Sequence, residues 1–128
     1  MAEMSDYLEN KILDYVLRNT ADWAPATIYL ALHTGDPTDV TSAGLSNEVD
    51  VARQACAFDA AHATTGVTQN TDAETFTSMP AVTVTHIGLW DHVSAGNLLF
   101  HTAVTASKAV ASGDTISVAA GAVTVTLA

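Results

Sequence analysis

The feature that most constrains this chain is a change of hydrophobic period near Pro25. Before it, Leu8, Ile12, Tyr15 and Val16 fall at i, i+4, i+7 and i+8, and Leu13 and Leu17 widen the apolar face. This is the spacing of an amphipathic helix. After it, Ile28, Leu30 and Leu32 alternate with Tyr29, Ala31 and His33, the two-residue period of a strand with one buried face. Ser5 is a good N-cap, and Asp6 and Glu9 place negative charge in the first turn, where the helix dipole favours it. Arg18 suits the last turn and Asn19 makes a stop. A helix is therefore expected over residues 5–19, packed on its own domain, with partner binding as its alternative role.

Everything downstream keeps the character of short strands and turns. Residues 34–50 hold Gly35, Pro37 and Gly44 together with the acids Asp36, Asp39, Glu48 and Asp50, and read as a long, solvated acidic loop. It is too long for a simple turn, and loops of this length in compact domains are often functional. A strand is expected over 51–60, with Gln54, Cys56 and Phe58 on one side, and a short one over 75–78, ending before Pro80. From Val82 to Trp90 the chain is rich in β-branched residues and apolar on both faces, the pattern of a central strand. Residues 91–97 then turn the chain into an antiparallel partner over 98–104. Ser112, Gly113 and Asp114 mark a further turn into 115–118, and Val123, Val125 and Leu127 alternate in a last strand that should hold the C-terminus in a sheet.

One helix followed by about seven short strands predicts a mainly β fold, an antiparallel β-sandwich or partly closed barrel with one N-terminal α-helix packed across it. Residues 1–128 are expected to form a single domain, a length at which one core suffices. Apolar residues at 48% and charged residues at 14% are inconsistent with a disordered chain. The sequence carries no repeat of the solenoid kind, no heptad run and no collagen-like period, so it holds no self-contained fibre shaft.

Charge narrows the partners. Four Lys and Arg against fourteen Asp and Glu give a net charge of -10, a field that repels phosphates and anionic headgroups. Nucleic acid and acidic membranes are therefore not expected partners. The first five residues are unlike a signal peptide, and no apolar run reaches the roughly 18–20 residues of a membrane span. The chain is expected to be soluble and intracellular at synthesis.

Catalytic signatures do not emerge. Cys56, the one cysteine, is flanked by Ala55, Ala57 and Phe58 and reads as a buried thiol. His33, His62, His86, His92 and His101 form no H-x-x-x-H or H-E-x-x-H arrangement. Of these, His86, His92 and His101 flank one hairpin, but ordinary half-buried histidines explain them better than a metal site. The acidic loop lacks the ligand series and closing Glu of a calcium loop, and there is no nucleophile elbow or Gly-rich phosphate loop. The expectation is a protein that is not an enzyme and that needs no cofactor or metal.

Several segments, in order, carry a resemblance: "SDYLENKILDYVLRNT" at 5–20, "PATIYLALHTGDPTD" at 25–39, "NEV" at 47–49, "AR" at 52–53, "VTHIGLWD" at 84–91, "GNLLFHTAVTASKAVASGDT" at 96–115 and "AAGAVTVTLA" at 119–128. Together they resemble a family of small structural proteins of tailed bacteriophages, whose members are commonly labelled tail fibre proteins. The resemblance is weakest over 57–79, and the strong acidity departs from it. It implies a virion surface component, first a capsid decoration (cement) protein that clamps neighbouring copies of the major capsid protein. The alternative is a tail fibre, tail-tip or baseplate component that contacts the host.

A repeated structural role implies a symmetric homo-oligomer, a trimer or dimer. The candidate contact residues are Tyr7, Lys11 and Tyr15 on the helix, Asp36 and Asp39 on the acidic loop, and Trp90 and His92 at the hairpin. Trp90 and Tyr29 have a competing reading as core anchors.

Overall fold

A computed structural model of the protein describes residues 2–20, 24–62 and 64–127. Among them the chain runs β1 (Glu3–Met4), α1 (Asp6–Leu17), β2 (Tyr29–His33), α2 (Thr41–Asn47), β3 (Gln54–Ala55), β4 (Val67–Gln69), β5 (Glu74–Phe76), β6 (Val82–Trp90), β7 (Leu98–Val110), β8 (Ile116–Val118) and β9 (Thr124–Thr126). Five strands form one sheet in the order β1-β7-β6-β2-β3, and β4–β9 and β5–β8 are separate two-stranded ribbons. All pairings are antiparallel. The fold is mainly β with an N-terminal helix, as the periodicity predicts, and the sheets do not close into a barrel.

The alternation of side chains across the sheet sets up two packed faces. On one, Leu30 and Leu32 of β2, Ile87 and Leu89 of β6 and Phe100 of β7 meet Phe76 of β5 and Val123 and Val125 from the β9 segment, giving the larger core. An apolar cleft of about 190 Å³, lined by Ile28, Phe58, Leu99 and Leu127 among others, lies beside that core. On the other face Ala31, Trp90 and Leu98 form a second, smaller cluster with Tyr29 against it. Burying both faces makes β2 apolar on each side, and its last four residues are all buried. The sequence suggested one buried face; the loop that follows β2 folds back and covers the other.

The central strand is placed as expected, with β6 between β7 and β2. Its partner is longer than the predicted 98–104 and is broken in register twice. Near the turn, Leu89 faces Phe100 while Trp90 faces Leu98, so Leu99 is an extra residue on β7, a bulge. The Leu99 carbonyl accepts the backbone N–H of Ser5 at 2.9 Å, and the Ser5 hydroxyl donates to the Leu98 carbonyl. The same hydroxyl accepts the N–H of Leu8 at 3.3 Å. Ser5 therefore caps the helix and ties its start to the sheet.

Several expectations need correction. Helix α1 runs Asp6–Leu17, with Arg18 closing it and Asn19 at φ 55° beyond the cap. Its packing differs more: Leu8 alone is buried, and Leu13, Val16 and Leu17 are 54%, 68% and 75% exposed. The apolar face of the C-terminal half is thus not used against the described body. The 34–50 stretch is not a plain solvated loop, because it contains α2 and buries Pro37, Gly44 and Val49.

The strand expected over 51–60 shrinks to β3 plus a single bridge from Phe58 to Asn70. That expected over 75–78 is the shorter β5, which starts one residue earlier and ends two earlier, and β1 and β4 are additional to the expected strands. Val123 and Val125 are buried in or beside β9, Leu127 is 53% exposed, and Ala128 lies outside the described residues.

Gly88 shows how tightly the second face is packed. A Cβ built there would meet His33 Nε2 at 2.7 Å, Leu98 Cδ1 at 3.0 Å and Trp90 Nε1 at 3.0 Å. Gly88→Ala should therefore destabilise the fold by about 1–3 kcal/mol, the usual cost of overpacking. Denaturant unfolding checks this, and an unchanged midpoint would contradict the packing described here.

Candidate functional site

The residues singled out by sequence come from three separate stretches, and the structure gathers those stretches around the second face of the sheet. At its centre is Trp90, fully buried. The Arg53 guanidinium lies over the indole, with Cζ 4.1 Å from the ring centroid, a cation–π contact strengthened by loss of water. Glu48 clamps the same guanidinium with two bonds of 2.7 Å, from Nε to Oε1 and from Nη2 to Oε2. The remaining Arg53 donor, Nη1, reaches the carbonyls of His92 at 2.8 Å and Ala95 at 2.9 Å. One buried arginine thus joins the loop after α2 to the tip of the β6–β7 hairpin.

Two further groups complete the surround of Trp90. Gly44 of α2 packs on the indole edge, where a Cβ would sit 3.0 Å from Cζ2. His33 stacks beside it, with ring centroids 6.0 Å apart, and its Nε2 accepts the indole N–H at 3.4 Å. The other ring nitrogen of His33 lies 2.8 Å from Asn47 Oδ1, which requires the proton on Nδ1 and the lone pair on Nε2. Asn47 in turn donates to the Asp36 carbonyl at 2.8 Å. Every polar group in this chain of contacts has a partner, the condition under which a buried polar network rigidifies a fold.

Around this core the candidate contact residues fall into two groups. Asp36, Asp39 and His92 are exposed on the segments that Arg53, Asn47 and Trp90 hold in place. Beside them Val40, Leu45 and Val93 are 50%, 43% and 54% exposed, giving these segments an apolar as well as an acidic surface. On α1, Tyr15 is exposed, while Tyr7 and Lys11 are half-buried, with the Lys11 ammonium 5.9 Å from the Tyr7 ring centroid.

The start of α1 joins the same end of the molecule: the Asp6 N–H donates to the Asp39 carbonyl at 3.1 Å. Trp90 does not belong with the surface residues. It is offered to Arg53, Gly44 and His33, which settles its two readings in favour of the core anchor.

Arg53 is the residue that sequence reasoning missed. The available signal was a single cation in a largely apolar stretch, Val51 to Phe58, in a chain with four Lys and Arg in all, where a buried charge must find a dedicated partner.

Burial shifts the ionisation of three groups, Cys56, Glu74 and His33. Burial pushes the Cys56 thiol up to about 11, and the nearby Glu74 carboxylate adds to the shift. Glu74 is itself raised, by its own burial and by Asp72. Burial also lowers the His33 pKa, with Asn47 and Glu48 opposing and Arg53 reinforcing the effect. A neutral thiol is a poor nucleophile, and an imidazole with both nitrogens engaged is not free to act as a base.

Two outcomes follow. Arg53→Met leaves the half-buried Glu48 without its counter-ion and should cost about 3 kcal/mol, toward the lower end for a broken buried pair because Glu48 keeps some contact with water. Arg53→Lys should recover only part of this loss, since an ammonium cannot reproduce the two-bond clamp and the carbonyl contacts together.

For His33 the folded-state pKa is depressed, so below pH of about 6.5 the unfolded chain takes up a proton that the folded chain does not. Stability is complete above that pH and falls as the pH drops through it, until the folded ring itself protonates. Denaturant midpoints at neutral and mildly acidic pH should show this fall in the parent chain and a smaller one in His33→Gln.

The comparisons with known proteins bear on the whole of this architecture. No curated protein matches the chain. A family model described as Podophage GP4 fiber I protein gp80 matches residues 3–126, from the first residue of β1 to the last of β9. That span takes in the sheet, both ribbons, both helices and the Arg53–Trp90 core, and agrees with the phage resemblance carried by the sequence segments. The chain therefore belongs to the Podophage GP4 fiber I protein gp80 family, a family of phage fibre proteins.

Proposed function

We propose that the chain is a non-enzymatic fibre component of a tailed-phage virion, acting by fitting against other virion proteins and further copies of itself. The observation that carries the reading is the family match over residues 3–126, whose description names a fibre protein of a podophage. The structure adds physical support. Apolar side chains stand exposed on the outer half of α1 and on the segments over Trp90, and such surface is typical of protein contacts. Cys56 and His33 are committed to the interior.

The word "fiber" in the family's description favours an appendage over the head-decoration role that the sequence resemblance put first. A cement position that clamps the major capsid protein is the rival. The net charge of -10 suits either place, since an acidic unit repels other acidic surfaces and is drawn to basic ones. Many weak, identical contacts then add through multivalency, with a symmetric dimer or trimer as the assembling unit.

The test is to locate the protein in intact virions with an epitope tag and electron microscopy, in parent phage and in a variant carrying Leu13→Glu, Val16→Glu and Leu17→Glu. Because those three side chains are more than half exposed, the variant should fold with little change in thermal midpoint. Label on the appendages, lost in the variant, is the expected result. Label spread over the head shell moves the protein to capsid decoration, and label on no assembled particle overturns the structural role.

A further inference from the structure

Beside the Arg53–Trp90 core, three side chains distant in sequence meet at a point that neither motif nor spacing marked. Glu3 on β1, Asp39 in the loop before α2 and His101 on β7 each bring one ligand atom within 4.8 Å of the other two. The placement follows from the fold. Glu3 is the register partner of His101 across the β1–β7 pairing. Asp39 is held by its own carbonyl, which accepts the N–H of Asp6 at the start of α1.

His101 is 3% exposed, and both of its nitrogens face carboxylates. Nε2 lies 3.0 Å from Asp39 Oδ1, and Nδ1 lies 3.5 Å from Asp36 Oδ1. Asp36 Oδ1 is fixed in turn by the N–H of Thr38 at 2.9 Å.

A neutral imidazole carries one N–H and one lone pair. With no ion, an Nε2–H donates to Asp39 Oδ1 at 3.0 Å. A divalent cation can take that proton's place between the two atoms, with the ring's one proton then carried on Nδ1, the nitrogen that faces Asp36 Oδ1 at 3.5 Å. A carboxylate on one ring nitrogen and a metal on the other is the arrangement that fixes a histidine ligand's tautomer and raises its basicity.

The charges point the same way: three carboxylates surround one imidazole, while Arg18 is paired with Asp14 and Arg53 with Glu48. One imidazole and two carboxylates suit a first-row divalent ion such as Zn²⁺ or Mn²⁺ better than Ca²⁺ or Mg²⁺, which prefer all-oxygen shells.

We propose that Glu3, Asp39 and His101 form a binding site for a first-row divalent metal ion, with Asp36 as the positioning residue on His101 Nδ1. Glu3 and Asp39 are exposed, so the ion sits at the surface with positions left for water or for a ligand from a neighbouring protein. Its structural effect is to clip the N-terminal strand and the acidic loop to β7, at the point where α1 leaves the sheet.

The test uses the full chain, stripped with a chelator and dialysed, then titrated at neutral pH with Zn²⁺ and separately with Mn²⁺ by calorimetry, with thermal unfolding as a second readout. One saturable equivalent and a raised midpoint are expected. Glu3→Gln and Asp39→Asn alter exposed side chains and should fold, so they keep the test decisive even if His101→Gln does not. Each should weaken binding at least tenfold and abolish the metal-dependent rise. Asp36→Asn should keep the stoichiometry but bind more weakly, as expected of a residue that acts through the ring. If a ring N–H to Asp39 is all that holds this cluster together, the parent chain will show no saturable equivalent. That result, or an isotherm unchanged in Glu3→Gln and Asp39→Asn, overturns the site.

Discussion

The structure depends on the Arg53 guanidinium resting on Trp90. A bare cation in a protein interior costs several kcal/mol, and here that cost is met by the two-bond clamp from Glu48, the indole face and two carbonyls of the hairpin tip. Glu48 lies on one side of Arg53 in the sequence, five residues before it, and Trp90, His92 and Ala95 lie about forty residues after it. The arginine therefore imposes one mutual position on the loop after β2, on α2 and on the turn between β6 and β7. Gly44 and Gly88 matter for the same reason, because each keeps clear the space that the indole and His33 occupy.

This arrangement gives the protein two cores of different character. Between sheet and ribbons the packing is aliphatic and aromatic, and its contribution scales with the apolar area removed from water. Over the other face the packing is small, polar and directional, built from His33, Asn47, Arg53 and Glu48 around one indole. The first supplies bulk stability. The second joins surface loops whose acidic and apolar side chains are exposed. In the role proposed for the chain those loops would meet neighbouring proteins, and a fixed surface would keep every repeated contact the same.

Much of the fold was legible because local patterns dominate where the chain is regular. Ser5 as a cap, Asn19 beyond the end of α1, the β6 boundaries and the turn at 112–114 all follow from dihedral preference and period. The errors lie where tertiary packing overrides those signals. Residues 34–50 read as solvated because Asp36, Asp39 and Asp50 are solvated, but Pro37, Gly44 and Val49 between them are buried. The helix periodicity suggested self-packing, and the outer half of that face is exposed instead.

Of the candidate contacts, the acidic-loop residues and His92 emerge on the ordered surface and Trp90 does not. Arg53 and the meeting of Glu3, Asp39 and His101 depend on cross-strand register and loop return, which no local window contains.

Native-state hydrogen exchange tests most directly the claim that the polar core locks the loops to the sheet. The N–H of Thr34 donates to Asn47 and that of Val49 to Leu32, at 3.0 and 2.8 Å. If the account is right, both amides exchange only through the global unfolding that also exposes the central β6 strand, with the same free energy. Exchange of Thr34 and Val49 by local opening, while β6 stays protected, would contradict it.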